Sequence, residues 1–201
     1  VFYRGIIDTG CNDDEKRHGL SRYVGKSIVW FDTSANKKKS QKRTKGGSYI
    51  NEEEKRIILE ILDDLKSTGE LKGLDIGIIT GYSGQKELLR KSIKATGLDK
   101  IASKIDINTL DAFQGRENDI IIYSTVRTRD SIGFQKEKER VNVAFSRAKK
   151  LLIVCGDKNF FYNFDDQDNK FVEIIDYISE EEECEIIQCD GGKLFERESN
   201  S

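Results

Sequence analysis

Short β-like runs alternate along the chain with longer stretches in which apolar residues recur at helical spacing. The β-like runs, typical of buried strands, lie at residues 28–31, 76–80, 105–110, 120–126, 151–155 and 185–188. The helical stretches lie at residues 52–65, 85–95, 140–149 and 171–178. This alternation predicts an α/β fold with a mostly parallel sheet flanked by helices.

The clearest helix start follows Asn51, where three glutamates stand in the first turn. An Asn side chain caps the free N–H groups at the start of a helix, and acidic residues stabilise the positive end of the helix dipole. We therefore expect a helix from residue 52 that packs its apolar face on the sheet.

A strongly basic segment precedes this helix. Six of the nine residues from Lys37 to Lys45 are basic, and two glycines follow. Such a segment cannot bury itself, so residues 37–47 are predicted to form a loop. The loop is either simply solvated or a contact for a nucleic-acid backbone, and the sequence leaves both open.

Composition restricts the class of protein. The 201 residues are about one domain's length, and a hydrophobic content of 36% permits a core. No apolar run approaches the ~20 residues of a membrane span, and the first residues lack the layout of a signal peptide. We expect an intracellular protein, cytoplasmic or, in a eukaryote, nuclear, with no membrane partner. Because the chain begins with Val and has no Met, we also expect a piece of a longer protein.

Charge divides the chain into two parts. Residues 165–201 carry thirteen acidic and three basic residues, so that the net charge of −2 combines −10 there with +8 on residues 1–164. We expect residues 1–164 to form the main domain, and residues 165–201 to add an acidic helix and strand that complete or flank it. A basic body is typical of polyanion contact, although a solvated tail unrelated to binding produces the same asymmetry.

Two common kinds of site lack their residues. The chain has one His and four Cys without a C-x-x-C pair, so we expect no metal site. A P-loop has the pattern G-x-x-x-x-G-K-[ST] between a strand and a helix. Gly25, Lys26 and Ser27 match the end of this pattern, but Leu20 stands at its first Gly and a β-like run follows. We therefore expect no P-loop in this chain.

Three segments near the predicted strands carry most of the candidate chemistry, because ligands of parallel sheets bind beyond the carboxyl ends of strands. They read IITGYSGQK at residues 78–86, TLDAFQGREND at residues 109–119 and RVNVAFSRAK at residues 140–149. In the third, Arg140 and Arg147 share one face of the predicted helix. Two guanidinium groups on one face suit phosphate recognition, and an ordinary solvated helix fits the same pattern.

The three segments resemble motifs IV, V and VI of superfamily 1 helicases, in the branch that includes the RNA helicase of nonsense-mediated decay and the nuclease-helicase of Okazaki-fragment processing. All three occur in order between residues 76 and 157, and weaker similarity extends to residues 2–5 and 48–51. The resemblance implies a second RecA-like domain. Enzymes of this family bind ATP between two such domains, and the first one holds the P-loop and the magnesium-binding acids.

The resemblance also implies roles for individual residues. Arg147 would be the catalytic arginine finger, which stabilises charge on the transferred γ-phosphoryl group. Gln85 and Lys86 would flank the γ-phosphate of ATP, and Gly115 and Glu117 would line the nucleotide. The residues facing the nucleic-acid phosphates would be Thr80, Thr109 and Arg127.

Motif IV departs from the family pattern at two positions. Gly81 stands where the family has Pro, which loosens the turn. Lys86 stands where the decay helicase has Arg, which keeps the charge but loses bidentate geometry.

We therefore expect the C-terminal motor domain of a nucleic-acid-dependent ATPase and helicase. Its expected partners are single-stranded nucleic acid and the N-terminal RecA-like domain of the same polypeptide. The expected cofactor is ATP with Mg2+, the metal being held by that first domain, so that the isolated chain is inactive. An alternative is a non-catalytic module that keeps the helicase fold for docking nucleic acid or protein. A self-contained nuclease is a third hypothesis, and the sequence lacks the convergent carboxylate cluster that it would need.

Overall fold

Six parallel strands form the central sheet, and two short strands form a separate antiparallel hairpin. The structure is a computed structural model that describes residues 18–70, 73–98, 105–113, 115–166 and 169–195. The strands are β1 (Ile28–Asp32), β2 (Lys42–Arg43), β3 (Tyr49–Ile50), β4 (Ile76–Thr80), β5 (Ile105–Thr109), β6 (Asn118–Ser124), β7 (Ala148–Gly156) and β8 (Cys184–Gln188). The order across the sheet is β5-β4-β6-β7-β1-β8, which confirms the predicted α/β fold.

Helices cover both faces of the sheet. Within the described residues the α-helices are α1 (Glu52–Ser67), α2 (Ser83–Ala95), α3 (Lys138–Phe145), α4 (Lys158–Tyr162) and α5 (Lys170–Glu180). The apolar sides of α1 and α2 pack on one face, and those of α3, α4 and α5 pack on the other. Strand β1 shows why two cores form, because Val29 and Phe31 belong to the first and Trp30 to the second. No helix in these described ranges is long and apolar enough to cross a membrane.

The predicted helix over residues 140–149 is wrong in its second half. Helix α3 ends at Phe145, and Ala148 already begins β7, where it pairs with Asn118 of β6. The backbone N–H of Asn118 also donates to the Arg147 carbonyl at 3.2 Å. Tertiary pairing with β6 thus overrides the helical spacing, and Arg140 and Arg147 do not share a helix face.

Gly25, Lys26 and Ser27 lead into a strand. The Lys26 ammonium donates to the backbone carbonyls of Glu182 at 2.9 Å and Cys184 at 3.2 Å, and Ile28 begins β1 immediately afterwards. The Lys therefore holds the start of β8 beside β1. This context is unlike that of a P-loop, in which a helix follows the Lys.

The acidic C-terminal segment contributes to the main sheet. Strand β8 pairs in parallel with β1, from Ile28 against Cys184 to Asp32 against Gln188. Asn169 caps α5 by accepting from the N–H of Phe171, and the apolar side of α5 packs into the second core. The described cysteines Cys155, Cys184 and Cys189 are buried and form no disulfide.

A buried carboxyl organises the chain after β6. Glu54 lies in the first turn of α1 and has no solvent exposure. It accepts hydrogen bonds from the Val126 N–H at 2.9 Å, the Ser124 hydroxyl at 2.6 Å and the Asn51 amide at 3.1 Å. Val126 has a φ of +69°, a costly value for a β-branched residue, so these bonds hold the turn that directs Arg127.

Burial determines the protonation of this group. It raises the pKa of Glu54 from 4.5 to about 8, and the hydrogen bonds from Ser124 and Val126 oppose the rise. The unfolded chain has released this proton above pH 4.5, whereas the folded chain keeps it to about pH 8. The contribution of Glu54 protonation to the free energy of unfolding is therefore complete below pH 4.5 and is lost as the pH rises towards 8.

We predict that Glu54→Gln reduces the decline of unfolding free energy with rising pH, because the amide does not titrate. The measurement is urea unfolding at several pH values from about 5 to about 8. The readout is the slope of the free energy of unfolding against pH, whatever the absolute stability. Glu87→Gln, an exposed position on α2, should keep the wild-type slope. Equal slopes in wild type and Glu54→Gln would contradict the assignment.

Gly77 of β4 makes room for an aromatic side chain. A Cβ at Gly77 would lie 2.5 Å from Cζ of Phe113 and 2.6 Å from Cδ1 of Ile121. Phe113 is fully buried over this position, and it belongs to the segment that joins β5 to β6. The absence of a side chain at Gly77 therefore fixes where this connection crosses the sheet.

We predict that Gly77→Ala lowers the free energy of unfolding by about 1–3 kcal/mol, because Phe113 and Ile121 must shift. Gly46→Ala is the control, since a Cβ there would lie 3.9 Å from the Thr44 hydroxyl oxygen, and its effect should stay within about 0.5 kcal/mol. Both values come from urea unfolding, and equal midpoints for the two variants would refute the packing argument.

Candidate nucleotide and nucleic-acid sites

The structure brings the three predicted nucleic-acid residues to the end of the sheet where the parallel strands have their carboxyl ends. We call this end the carboxyl edge. Thr80 and Thr109 are register partners at the carboxyl ends of β4 and β5. Arg127 follows β6, which neighbours β4 on the other side. Thr109 is half-buried, whereas Thr80 is fully buried and its hydroxyl accepts from the Tyr82 N–H at 3.4 Å. Of the two threonines, Thr109 is thus the one that reaches solvent.

Arg127 is held by aromatic and backbone contacts. Its guanidinium carbon lies 4.1 Å from the ring centroid of Tyr49, and one terminal nitrogen donates to the Arg129 carbonyl at 3.2 Å. The residue is only 4% exposed, and its Nε is buried without a hydrogen-bond partner among the described residues. The stacking on Tyr49 and the bond to the Arg129 carbonyl offset part of the cost of burying this charge.

Tyr82 completes this arrangement. It lies directly after the turn that follows β4, and its ring meets that of Tyr49 edge to face at 5.6 Å. Burial raises the pKa of Tyr82, and the nearby Arg127 guanidinium opposes the rise. The phenol is therefore neutral at physiological pH, and the edge carries the positive charge of Arg127.

Three of the five predicted nucleotide residues lie at the opposite end of the strands, where β6 and β7 begin. Gly115, with a φ of +81°, and Glu117 are exposed just before β6, and Arg147 lies just before β7. The 3.2 Å hydrogen bond from Asn118 N–H to the Arg147 carbonyl joins the two strand starts. Arg147 is half-buried, and its Nε is buried without a hydrogen-bond partner among the described residues.

Gln85 and Lys86 are not part of that group. Gln85 lies in the first turn of α2 and is fully buried. Its amide accepts from Asn51 N–H at 2.8 Å and donates to the Asn51 carbonyl at 3.1 Å and the Ser124 hydroxyl at 3.0 Å. Ser124 ends β6, whereas Arg147 lies at its start, about 20 Å away at ~3.3 Å per residue. The five predicted nucleotide residues thus divide between both edges.

The connection from β5 to β6 spans both groups. It starts at Thr109, passes Phe113 over Gly77, and reaches Gly115 and Glu117 before β6 begins. Arg116 forms an ion pair with Asp106 at 2.6 Å, which fixes this end beside the start of β5. One short segment therefore carries candidate residues for both sites.

The sequence predicted Asn51 as a helix cap, but not that Asn51 and Gln135 support the carboxyl edge. Asn51 donates its amide to the carbonyls of Lys39 and Val126, at 2.8 and 3.2 Å. Gln135, fully buried, donates to the Thr125 carbonyl at 2.9 Å and accepts from the Tyr123 hydroxyl. The Asn-x-x-Glu spacing that ends in Glu54 was a usable signal, since a capping residue and an acid three positions later form a local pair.

The described residues bear on metal ligands, but they do not include the first residues of the chain. In the part of the chain that the structure describes, no group of three or more His, Cys, Asp or Glu is placed to hold a metal ion. The similarity at residues 2–5 lies outside the described residues.

Comparison with known proteins identifies the family. Residues 1–159 match the family described as AAA domain. The chain is 38% identical over 144 residues to an uncharacterized ATP-dependent helicase of Methanocaldococcus jannaschii, covering 70% of this chain and 20% of that protein. It is 38% identical over 166 residues to Helicase SEN1 of Saccharomyces cerevisiae, covering 77% of this chain and 7% of that protein. It is 30% identical over 165 residues to Regulator of nonsense transcripts 1 of Caenorhabditis elegans, covering 78% of this chain and 15% of that protein.

The chain thus spans a fifth or less of the length of these relatives. The family match covers most of the chain and includes all three motifs predicted from the sequence. The chain therefore belongs to the AAA domain family of superfamily 1 helicases and corresponds to their C-terminal RecA-like domain.

Proposed function

We propose that this chain is the C-terminal motor domain of a nucleic-acid-dependent ATPase and helicase, and that Arg147 is its arginine finger. The observation that carries the proposal is the Arg147 Nε, which is buried and makes no hydrogen bond among the described residues. The Arg147 carbonyl accepts from the N–H of Asn118, the residue after the exposed Glu117. A buried donor without a protein partner has that donor available for an anion. A phosphate group fits this position in charge and in hydrogen-bonding geometry.

In this proposal the domain acts on a nucleotide held mainly by the N-terminal RecA-like domain, which also holds Mg2+. ATP, when bound, supplies the γ-phosphoryl group that is transferred to water. Arg147 would donate hydrogen bonds to the oxygens on which charge develops, a contribution typically of about 10³–10⁵ in rate. Gly115 exposes backbone without a side chain, and the Glu117 carboxylate can accept a hydrogen bond from a ribose hydroxyl.

We assign Gln85 a positioning role within this scheme, because its amide joins Asn51 to Ser124 in the interior. Lys86, half-buried at the next position, lies with Gln85 in the first turn of α2, whereas Arg147 lies beside the start of β6, so the two do not share one phosphate in this scheme. The flexible Lys86 ammonium carries the charge without the fixed geometry of an Arg.

Single-stranded nucleic acid is the proposed substrate at the carboxyl edge. Thr109 would contact its phosphates, Arg127 would supply positive charge from just beneath the surface, and Thr80 would support the turn after β4. Nucleotide and strand would then occupy opposite ends of β6 and β7. Closure on the nucleotide would move the strand-binding edge as part of the same rigid sheet.

We predict that Arg147→Ala in the complete protein reduces nucleic-acid-stimulated ATP hydrolysis at least ~10³-fold while nucleotide binding persists. Phosphate release gives the rate, and a fluorescent ATP analogue gives the affinity. Arg90→Ala is the control, since Arg90 is exposed on α2 and donates to the Ile107 carbonyl. Full turnover by the Arg147 variant would overturn the assignment and would favour a non-catalytic docking module.

The isolated 201-residue chain should hydrolyse no ATP, because it contributes only one side of the proposed nucleotide site. The same phosphate-release assay, with single-stranded DNA or RNA present, tests this expectation. Hydrolysis that co-purifies with a homogeneous preparation of the chain would show that it holds a complete active site.

A further inference from the structure

The basic segment predicted as a loop contains a structured hairpin. We define the basic hairpin as residues 37–50, which include β2, β3 and six Lys or Arg residues but no Asp or Glu. Five of these side chains are exposed: Lys37, Lys38, Lys42, Arg43 and Lys45. A backbone bond from Thr44 N–H to the Ser48 carbonyl at 2.8 Å closes the turn. The positive charges therefore stand on ordered backbone.

One anchor joins the basic hairpin to the carboxyl edge of the sheet. Tyr49 of β3 carries the Arg127 guanidinium 4.1 Å from its ring centroid and packs edge to face on Tyr82. The Arg43 guanidinium carbon lies 6.0 Å from the same centroid. Tyr49 thus links an exposed cation of the hairpin to the candidate nucleic-acid residue after β6.

A second anchor lies at the start of the hairpin. Gln41 and Thr128 exchange hydrogen bonds, from Gln41 N–H to the Thr128 hydroxyl at 3.2 Å and from Thr128 N–H to the Gln41 side chain at 2.9 Å. Lys39 forms an ion pair with Asp157 at 2.8 Å, after the end of β7. The segment is therefore fastened along the loops that follow two central strands.

A third anchor lies against motif IV. The N–H of Gly84, in the first turn of α2, donates to the Ser48 hydroxyl at 3.0 Å. A Cβ at Gly84 would lie 3.1 Å from the Tyr49 carbonyl and 3.2 Å from Cβ of Ser48, so a side chain here would push the hairpin back by a few tenths of an ångström. The hairpin and motif IV therefore form one continuous surface.

We propose that the basic hairpin binds the sugar–phosphate backbone of the same single strand that crosses the carboxyl edge, and so lengthens the bound strand. This inference rests on the proposed function. Lys42, Arg43 and Lys45 supply the contacts, because they are exposed, lack neighbouring acids within the hairpin, and project from fixed backbone. Within residues 37–50 no large hydrophobic side chain is exposed, so the surface favours a polyanion over a protein partner.

The test replaces the three residues together, Lys42→Ala, Arg43→Ala and Lys45→Ala, in the complete protein. Fluorescence anisotropy measures binding to single strands of about 6 and about 20 nucleotides across a salt series. We expect about tenfold weaker binding of the longer strand, and a slope of log K against log salt lower by about 2, at ~0.7 per phosphate contact. The shorter strand, held by the carboxyl edge, should lose less than about twofold.

The control variant removes three exposed lysines from the far ends of two helices, Lys66→Ala, Lys91→Ala and Lys94→Ala. It changes the net charge by the same amount as the triple hairpin variant does. It should keep the wild-type slope of log K against log salt. Lys42→Arg with Lys45→Arg preserves the charges and should retain the wild-type affinity. An unchanged slope for the triple hairpin variant would overturn the proposal, as would an equal loss of affinity for the two strand lengths.

ATP hydrolysis separates this inference from the proposed function. At saturating nucleic acid the triple hairpin variant should hydrolyse ATP at the wild-type maximal rate, with a raised half-saturating strand concentration. If Arg147→Ala abolishes hydrolysis and the hairpin variant binds normally, the hairpin proposal alone fails. If Arg147→Ala retains full hydrolysis, the motor assignment fails irrespective of the hairpin result.

Discussion

The interaction on which the candidate site depends is the burial of one carboxyl group, Glu54, behind the end of β6. Removing such a group from water is costly unless donors surround it, and here Ser124, Val126 and Asn51 supply them. In return the backbone at Val126 stays at a positive φ that its side chain disfavours. The direction of Arg127, and with it the stacking on Tyr49, follows from that one turn.

The two candidate sites lie at opposite ends of the same strand, β6, and have no residue in common. Strand β6 has Glu117 and Arg147 beside its first residue, and the Glu54 network at its last. Its central residues Ile120, Ile121 and Ile122 are fully buried between neighbouring strands. The residues that separate the two candidate sites therefore belong to a close-packed core, in which a change of volume at one position is felt by its neighbours.

The sequence predicted the parts of the structure that local patterns determine. The buried strands and the capped start of α1 follow from apolar runs and from Asn51, and the three motifs identified the family. The end of α3 could not be predicted, because Ala148 has helical spacing and is drawn into β7 only by pairing with Asn118. The hairpin was hidden because each strand has two residues. The motifs gave no sign that Gln85 is enclosed by Asn51 and Ser124, since burial depends on distant segments.

The packing of Phe113 over Gly77 has a mechanical meaning for the connection from β5 to β6. The segment runs from Thr109, at one edge of the sheet, to Glu117, at the other, and the buried ring holds it between them. The connection is thus fixed to the sheet at a third point, between its two ends. A larger residue at position 77 would displace it there, without touching either Thr109 or Glu117.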